Sequence, residues 1–322
     1  MRVLLTAGGG GHTGYAISIG RELREDNELV FLVDSRDLLS QERLRELGRI
    51  ENVTKPRSPL TPMWKFVLRF IYCSFESFYV WLKHRPDVIV STGSNLAIPI
   101  SIVGKILGSK IVNIEDSVRI FSASKTSRYL DIIASTTLLQ WEQQKKFHPK
   151  KGSYVGLLVP HVNPSTRNGP ILISPGTFGF KELYDIAVKT NLQNVTMTVA
   201  NLDPEQYHKA GWTVVGRLVG LDSVLCSARV VVTHLGYTLW EAISYGIPVV
   251  IVPNPAWKRS SVKEMEKVCE FIEKSGFGIY VGLDELTPPN LEKAVQKAES
   301  LTLPRIEIGA KKAANTIREI ER

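Results

Sequence analysis

The sequence predicts an α/β protein of two doubly wound, parallel-sheet domains, and three observations lead to this prediction. The chain has 322 residues, of which 43% are hydrophobic, which is enough to bury two cores. Short apolar runs alternate with segments of helical period along its length. A polar stretch with three prolines, residues 159–170, interrupts this alternation once. We therefore expect a first domain at 1–160, a linker at 161–170, a second domain at 171–308 and a C-terminal helix at 309–322 that packs back on the first domain.

Ten short apolar runs have the length and flanking turns of buried parallel strands. In the first half they are Arg2 to Thr6, Leu29 to Val33, Val88 to Ser91, Ile111 to Ile114 and Ile132 to Ser135. In the second half they are Ile171 to Ser174, Val195 to Val199, Thr213 to Val215, Val230 to Thr233 and Val249 to Val252.

The net charge of +8 lies almost entirely in the first half, where residues 1–165 contain 22 Lys and Arg against 15 Asp and Glu. Such an excess attracts nucleic acid, anionic lipid or a phosphorylated substrate. We expect no nucleic-acid binding, because the basic residues are scattered and the aromatic residues cluster in one segment. The three cysteines, Cys73, Cys226 and Cys269, have no metal-type spacing, and the N-terminus has no secretory pattern. Both features indicate a reducing, cytoplasmic location.

Residues Met63 to Lys83 form the most aromatic stretch of the chain. Arg69 and Glu76 fall inside it and it is barely long enough to cross a bilayer, so we do not expect a transmembrane span. Two interpretations remain open. The segment is either a core-packing helix or an interfacial helix that rests on lipid or lines a lipid-acceptor cleft.

A glycine-rich loop, Thr6 to Gly14, follows the first strand and precedes a helix-like segment from Tyr15 to Glu25. Its backbone can approach a ligand closely, and its amides face the helix N-terminus, so an anionic or polyol ligand is expected. His12 in this loop has an ordinary pKa of about 6.5, which suits a general base. The simpler interpretation is a loop histidine that only caps the helix or packs.

The same loop supports a rival prediction. The spacing of Gly9, Gly11 and Gly14 satisfies the dinucleotide fingerprint, and Asp34 ends the second strand where a ribose-binding acid would stand. An NAD-dependent oxidoreductase is therefore an alternative. The second half of the chain argues against it, because that half has a nucleotide site of its own.

This second site is indicated by two turns that follow apolar strands. Gly176 and Thr177 follow the strand at Ile171 and can hold a pyrophosphate through free amides and a hydroxyl. Gly236 opens a helix in which Thr238 adds a hydroxyl and Glu241 lies one turn further in. The Glu241 carboxylate can accept hydrogen bonds from both ribose hydroxyls, although a solvated helix glutamate is the simpler interpretation.

Two sets of motifs resemble glycosyltransferases of the GT-B class that add the second GlcNAc to dolichyl-pyrophosphate-GlcNAc. The acceptor-binding, membrane-anchoring subunit is matched by Gly10-Gly11-His12-Thr13, Ile114-Glu115-Asp116-Ser117-Val118-Arg119, Leu139-Gln140-Trp141-Glu142 and Tyr154-Val155-Gly156. The catalytic, donor-binding subunit is matched by Pro175-Gly176-Thr177-Phe178, Thr233-His234-Leu235-Gly236 with Glu241, and Gly246-Ile247-Pro248. The sequence thus resembles a single-chain, archaeal-type fusion of both subunits, and more distantly the bacterial lipid II GlcNAc transferase.

The resemblance implies two Rossmann-like domains facing across a cleft, and inverting transfer of GlcNAc from UDP-GlcNAc to a polyprenyl- or dolichyl-pyrophosphate-linked GlcNAc. The product would be the second, β-1,4-linked GlcNAc of an N-glycan precursor. It also implies no obligatory metal, no cofactor, and peripheral work at the cytosolic membrane face. A UDP-GlcNAc epimerase would share the architecture and is a further alternative.

The resemblance also assigns the site residues. The catalytic base is His12 or Glu115. The donor-binding residues are Gly176, Thr177, His234, Gly236, Tyr237, Thr238 and Glu241, and the acceptor-binding residues are Gly10, Gly11, Thr13 and Arg119.

Two features depart from the family pattern. Its acceptor subunit usually carries an N-terminal membrane helix, whereas this sequence opens with a strand, so we expect Met63 to Lys83 and the basic first half to hold the membrane. After the last strand the family commonly has an acidic or amide residue and Gln, whereas Pro253-Asn254-Pro255-Ala256-Trp257-Lys258-Arg259 stands here.

Overall fold

The computed structural model describes residues 1–58, 61–177, 179–255 and 262–321. Two parts of the predicted motifs, Phe178 and residues 256–259, therefore lie outside the described residues. The chain divides into two compact units. Unit 1 comprises Met1–Pro160 together with Glu307–Arg322, and unit 2 comprises His161–Ile306.

Unit 1 contains a seven-stranded sheet in which every described strand pair is parallel. Its strands are β1 (Arg2–Ala7), β2 (Glu28–Asp34), β3 (Arg49–Val53), β4 (Val88–Ser91), β5 (Lys110–Ile114), β6 (Thr136–Leu139) and β7 (Gly152–Tyr154). They are arranged in the order β3-β2-β1-β4-β5-β6-β7. The helices are α1 (Gly11–Leu23), α2 (Leu38–Leu44), α3 (Met63–His84), α4 (Ala97–Ile106) and α5 (Lys125–Asp131).

Unit 2 repeats this plan with a six-stranded parallel sheet. Its strands are β8 (Ile171–Ile173), β9 (Val195–Thr198), β10 (Trp212–Val215), β11 (Val230–Thr233), β12 (Val249–Ile251) and β13 (Gly278–Tyr280), in the order β10-β9-β8-β11-β12-β13. The helices are α6 (Lys181–Ala187), α7 (Asp222–Leu225), α8 (Tyr237–Ser244), α9 (Val262–Lys274) and α10 (Pro288–Glu299).

The last helix, α11 (Ala310–Glu321), packs against α1 and so belongs to unit 1. A parallel bridge between Leu157 and Ile308 aligns the returning chain, and Ile317 is fully buried. At the surface, Arg318 Nε donates to Asp26 Oδ2 at 2.8 Å.

The segment at 161–170 is packed onto unit 2. The Ser165 amide donates to the Tyr245 carbonyl at 2.7 Å, and its hydroxyl donates to the Ala228 carbonyl at 2.8 Å. The Thr166 amide donates to the Cys226 carbonyl at 3.0 Å.

The predicted architecture of two parallel-sheet α/β domains is confirmed, and nine of the ten predicted strands coincide with observed strands to within a residue at either end. The prediction for Ile132 to Ser135 was wrong, because these residues follow α5 and the strand is Thr136–Leu139. The Ile133 amide donates back to the Leu130 carbonyl, and Ile132 is 76% exposed, so the apolar pair extends the helical turn.

Four further features differ from the sequence-based expectation. Three short strands, β3, β7 and β13, were not predicted. Helix α1 begins at Gly11 and not at Tyr15, because the Thr13 and Gly14 amides both donate to the Gly10 carbonyl. His12 therefore lies in the first helical turn.

Candidate functional site

Both sheets have a point at which the strand order reverses, and ligands of doubly wound sheets bind outside the carboxyl ends of the strands at this point. In unit 1 the point lies between the neighbouring strands β1 and β4. In unit 2 it lies between β8 and β11. The loops after these four strands carry most of the predicted site residues.

The loop after β1 is shaped by glycines. Gly9 and Gly10 have φ of 90° and 56°, which L side chains rarely adopt, and Gly10 is the N-cap of α1. A Cβ at Gly8 would lie 2.1 Å from Ser94 Cβ, so only glycine lets the loop after β1 approach the loop after β4 this closely. The close approach brings α1 against the β4 loop.

The His12 imidazole is held at this junction. It is 7% exposed, and its Nδ1 lies 2.5 Å from the Thr92 carbonyl oxygen. A carbonyl oxygen can only accept, so Nδ1 carries the proton, and Nε2 is the basic nitrogen of the neutral ring. Gly93, with φ of 97°, faces the ring, and a Cβ there would lie 3.4 Å from His12 Cε1. This geometry fixes the tautomer that a general base requires.

Glu115, the other candidate base, has a fully buried side chain. Its Oε1 accepts from the Asp116 amide at 2.8 Å and from the Ser124 amide at 3.2 Å. Its Oε2 lies 2.9 Å from His148 Nε2. The carboxylate thus joins both ends of the loop 116–124 to a buried histidine.

His148 is buried between two carboxylates. Its Nε2 contacts Glu115, and its Nδ1 lies 3.3 Å from Asp131 Oδ1, without the alignment of a good hydrogen bond. Burial alone lowers the pKa of His148, but the hydrogen bond and charge of Glu115, with the charge of Asp131, outweigh it and raise the pKa above its ordinary value of 6.5.

The motif Leu139-Gln140-Trp141-Glu142 holds the loop that begins at Glu115. Gln140 Nε2 donates to the Glu115 carbonyl at 2.8 Å, and Trp141 Nε1 donates to the Ser117 carbonyl at 2.9 Å. Just beyond the motif, Gln144 Nε2 donates to the Asp116 carbonyl at 2.9 Å. These side chains explain why the motif accompanies the Glu115 loop, which also carries Arg119.

Tyr15 joins α1 to the same loop. Its hydroxyl donates to Asp116 Oδ1 at 3.0 Å and accepts from the Ser117 amide at 3.1 Å. Burial, followed by the charge of Asp116, raises the pKa of Tyr15 well above its ordinary value. The phenol therefore stays protonated and ties the helix that carries His12 to the Glu115 loop.

Two predicted side chains of unit 1 have structural partners. The Thr13 hydroxyl is buried against Ser40 Oγ at 2.7 Å, at the start of α2. Asp34, the acid that the oxidoreductase alternative requires, is paired with Arg36, whose Nε and Nη2 lie 3.3 and 3.2 Å from its two oxygens. This carboxylate already has a cationic partner.

The loops after β8 and β11 enclose His234. A Cβ at Gly176, which has φ of 80°, would lie 3.1 Å from His234 Nε2, and one at Gly236 would lie 3.3 Å from the same atom. The imidazole is therefore seated between the two turns that the sequence assigned to the donor diphosphate. Thr177 lies beside Gly176, and its carbonyl accepts a 3.4 Å hydrogen bond from Arg217.

Helix α8 presents the remaining donor residues. Gly236 is its N-cap, Tyr237 and Thr238 form its first turn, and Glu241 follows three residues after Thr238. Residues three and four apart share a helix face, so these three side chains lie on one face. All three are partly exposed, whereas Leu239 and Trp240 are fully buried.

Sequence reasoning did not single out three residues that the structure places at these loops. Lys55 donates to the Gly8 carbonyl at 2.6 Å, and Asn254 donates to the Gly179 carbonyl at 3.0 Å. Arg217 contacts Thr177, as described above. Each follows a strand at its carboxyl end, and for Lys55 that strand, β3, was itself not predicted.

Two protein-family models match the chain without overlapping. A family described as oligosaccharide biosynthesis protein Alg14 like matches residues 3–158. The glycosyltransferase family 28 C-terminal domain matches residues 206–321. The first match falls within unit 1. The second match falls on unit 2, except for its last residues, 307–321, which belong to unit 1.

Curated relatives match at low identity. A UDP-N-acetylglucosamine–N-acetylmuramyl-(pentapeptide) pyrophosphoryl-undecaprenol N-acetylglucosamine transferase of Streptomyces collinus is 26% identical, over 92% of this chain and 89% of its own. The enzyme of that name from Borrelia garinii subsp. bavariensis is 20% identical, over 92% and 87%. The UDP-N-acetylglucosamine transferase subunit ALG14 of Mus musculus is 24% identical, over 49% of this chain and 83% of its own.

Solved structures share the fold. MurG of Acinetobacter baumannii superposes with a TM-score of 0.66 at 15% identity, with 99% of each chain covered. The UDP-GlcNAc 2-epimerase of Methanocaldococcus jannaschii gives 0.65 at 15% identity, also with 99% of each covered. The fold is that of the GT-B class. With the glycosyltransferase domain match, this identifies the chain as a glycosyltransferase.

Proposed function

We propose that this glycosyltransferase moves GlcNAc from UDP-GlcNAc to a lipid-pyrophosphate-linked acceptor at a membrane surface. The specific acceptor is a polyprenyl- or dolichyl-pyrophosphate-GlcNAc, which becomes the β-1,4-linked chitobiose of an N-glycan precursor. One observation carries the proposal. Unit 1 holds an imidazole of fixed tautomer at its strand reversal, and unit 2 holds a glycine turn and helix suited to a nucleoside diphosphate.

In the proposed reaction, the acceptor hydroxyl gives its proton to His12 Nε2 while its oxygen attacks the anomeric carbon. The bond from that carbon to the UDP oxygen breaks, and its electron pair leaves with the diphosphate. Attack opposite to the leaving group inverts the configuration. Backbone amides at Gly176 and Gly236 stabilise the departing charge, and Glu241 accepts from the ribose hydroxyls.

Of the two candidate bases, the geometry favours His12. The Glu115 carboxylate is buried and accepts from two amides while contacting His148, so its contacts suit a residue that positions the loop 116–124. We propose that this loop presents Arg119 to the acceptor. Arg119 is partly exposed, and its amide closes a turn by donating to the Asp116 carbonyl.

The membrane part of the proposal rests on α3. Its buried side chains are Cys73, Ser77, Val80 and His84. Beside Lys65 and Lys83, the helix exposes ten large apolar side chains, namely Met63, Trp64, Val67, Leu68, Ile71, Tyr72, Phe75, Phe78, Tyr79 and Leu82. Exposed apolar surface of this extent marks an interaction site, and the flanking basic residues of unit 1 complement anionic lipid. Within the described ranges, no helix combines the length and apolar character of a membrane crossing.

The fold alone does not separate a transferase from a UDP-GlcNAc 2-epimerase. An epimerase needs no lipid acceptor, however, and the exposed apolar face of α3 favours the transferase. The oxidoreductase alternative requires the Asp34 carboxylate to bind a ribose. That carboxylate forms an ion pair with Arg36, which argues against the alternative.

The experiment that tests the proposal incubates the protein with UDP-[14C]GlcNAc and a short polyprenyl-pyrophosphate-GlcNAc, followed by organic extraction. We expect label in the lipid phase and a β-1,4-linked disaccharide after mild acid release. Free labelled amino sugar with no lipid-borne label would indicate the epimerase. Transfer of label to lipid through another linkage would support the transferase activity but contradict the proposed role in N-glycan synthesis.

A further inference from the structure

His148 lies between two carboxylates that belong to opposite ends of helix α5. Glu115 Oε2 is 2.9 Å from its Nε2, and the same carboxylate accepts from the amide of Ser124, the N-cap of α5. Asp131, the last residue of α5, places its Oδ1 3.3 Å from the other ring nitrogen, Nδ1. The side chains of His148 and Glu115 are fully buried. The histidine therefore links the start of α5 to its end.

The protonated form of His148 fits these contacts better than the neutral form. An ionised carboxylate can only accept hydrogen bonds, and a neutral imidazole has one N–H and one lone pair. In either tautomer, a lone pair would therefore face the oxygen of Glu115 or of Asp131. The imidazolium presents an N–H and a positive charge to both. Burial lowers the pKa of His148, but the contacts with Glu115 and Asp131 outweigh it and raise the pKa.

The lysines on the segment that carries this histidine contact other groups. Lys151 Nζ donates to the Asp131 carbonyl at 2.8 Å, at the end of α5. Lys145 forms an exposed ion pair with Glu142 at 2.7 Å. Among the described residues, the ion pair of the buried Glu115 carboxylate is the one with the imidazole. Loss of the ring proton would leave this carboxylate without a cation, which is costly for a buried charge.

The Glu115 carboxylate in turn fixes both ends of the loop 116–124. It accepts from the Asp116 amide at 2.8 Å and from the Ser124 amide at 3.2 Å. These two contacts depend on an ionised carboxylate that stays in place. The order of the loop should therefore follow the protonation of His148.

We propose that His148 and Asp131 are positioning residues for acceptor binding, and that the charged imidazole holds the loop 116–124 in the form that presents Arg119 to the acceptor. The inference rests on the proposed function, which assigns Arg119 to the acceptor, and adds a proton-dependent control of that site. The stabilisation of the loop is complete below about pH 6.5. It is lost as pH rises through the raised pKa of His148. Acceptor affinity is therefore highest at the acidic end of this range.

The first test measures the loop itself, by amide hydrogen exchange of peptides that cover residues 116–124. Protection factors, corrected for the intrinsic pH dependence of exchange, are compared between about pH 5.5 and about pH 8.5. We expect wild-type protection to fall by at least about fivefold over this range, and His148→Gln to show constant protection. Asp131→Asn removes a charge that favours the imidazolium, so the pH at which protection is lost should move down.

The second test measures acceptor binding without turnover. A short polyprenyl-pyrophosphate-GlcNAc is titrated calorimetrically into the full-length protein with saturating UDP. We expect the Kd of wild type to rise by at least about fivefold over the same pH range, and that of His148→Gln to change less. Because His12 is a second imidazole of unit 1, only the difference between the two proteins is assigned to His148. His208→Gln, at an exposed histidine of unit 2, is the matched control and should follow wild type.

Three outcomes overturn the inference. The first is loop protection that is constant with pH in wild type, or that changes equally in His148→Gln. The second is an acceptor affinity whose pH dependence is the same in both proteins, because the histidine would then serve the fold alone. The third is an unmoved midpoint in Asp131→Asn, which also decides the case if His148→Gln does not fold. Wild type that shows the His148-dependent loop protection yet binds no acceptor and transfers no label would contradict the proposed function and leave the loop result intact.

Discussion

His12 and Glu115 are equivalent candidates in the sequence, and their surroundings separate them. The His12 ring has its Nδ1 fixed by the Thr92 carbonyl, which leaves Nε2 as the basic nitrogen. Glu115 is buried, and its carboxylate accepts from the Asp116 and Ser124 amides and contacts His148. Since a general base must reach the proton that it abstracts, the buried carboxylate is better suited to hold a loop.

Replacing His12 by Asn tests its role. The Asn amide nitrogen can donate to the Thr92 carbonyl as Nδ1 does, so the loop should be preserved while the base is lost. We expect kcat to fall by about a hundredfold to ten-thousandfold, measured as label transferred to lipid at saturating substrates. UDP affinity, measured by calorimetry, should stay unchanged. Turnover within about threefold of wild type would exclude His12 as the base.

The raised pKa of His148 predicts a pH-dependent stability. Its pKa in the folded protein lies above the ordinary 6.5, so the protonated ring stabilises the fold fully below about pH 6.5, and this contribution is lost as pH rises through the folded pKa. The urea midpoint of wild type should therefore fall over this window relative to that of His148→Gln. A constant difference between the two proteins from pH 5.5 to 8.5 would contradict the raised pKa.

At the residue scale, sequence reasoning can propose a side chain that stands next to a glycine turn, and the role of that side chain stays a prediction. His12 could be proposed because it stands within consecutive glycines that follow a strand. Lys55 could not, because its partner Gly8 is 47 residues away and the short strand β3 that delivers it has an uneven apolar pattern, with only Val53 fully buried. Asp34 was assigned a ligand by motif spacing, while the structure gives it Arg36.

Among the elements, α3 has the most unequal faces. Its buried residues follow a spacing of four, three and four along one narrow stripe, from Cys73 to His84. The rest of its surface exposes aromatic and aliphatic side chains. The sequence predicted the helix and its extent, but both interpretations of its aromatic residues remained open, because periodicity does not tell which face meets the protein.

Charge placed on the exposed face should abolish lipid binding without unfolding. Phe75 is 69% and Tyr79 67% exposed, so Phe75→Glu with Tyr79→Glu removes little packing. Each aromatic side chain buried in lipid contributes roughly 1.5 to 3 kcal/mol, and we expect the double variant to stay in the supernatant when sedimented with anionic vesicles. Val219→Glu, at an exposed apolar residue of unit 2, is the control. Equal sedimentation of both variants would rule out α3 as the lipid-facing surface.

Element boundaries show where local pattern is insufficient. Ile132 and Ile133 look like the start of a strand, yet they complete the turn after α5, and the strand begins at Thr136. The first turn of α1 contains glycines and carries no acidic residue, so its sequence resembles a loop. Backbone hydrogen bonds decide the structure in each case, to the Leu130 carbonyl after α5 and to the Gly10 carbonyl at the start of α1. The spacing of hydrophobic residues in the sequence does not reveal these bonds.

For the molecule as a whole, the notable feature is that unit 1 is completed by residues from beyond unit 2. Ile317 on α11 is fully buried against the unit that contains α1. Ile317→Ala should lower the free energy of unfolding of unit 1 by about 2 to 5 kcal/mol, through lost burial and the cavity left behind. Chemical denaturation measures this loss, with the exposed Lys311→Ala as the control. A change below about 0.5 kcal/mol would show that α11 is dispensable for stability.

The order in which the chain leaves the ribosome gives α11 a further consequence. By the time residue 306 has been synthesised, every strand of both sheets is present, but the outer side of α1 still lacks its cover. A nascent or truncated polypeptide that stops there would expose the apolar groups that Ala313, Ala314 and Ile317 normally shield. An unfinished chain would therefore differ from a finished one by the uncovered face of α1, which chaperones that bind exposed apolar surface can recognise.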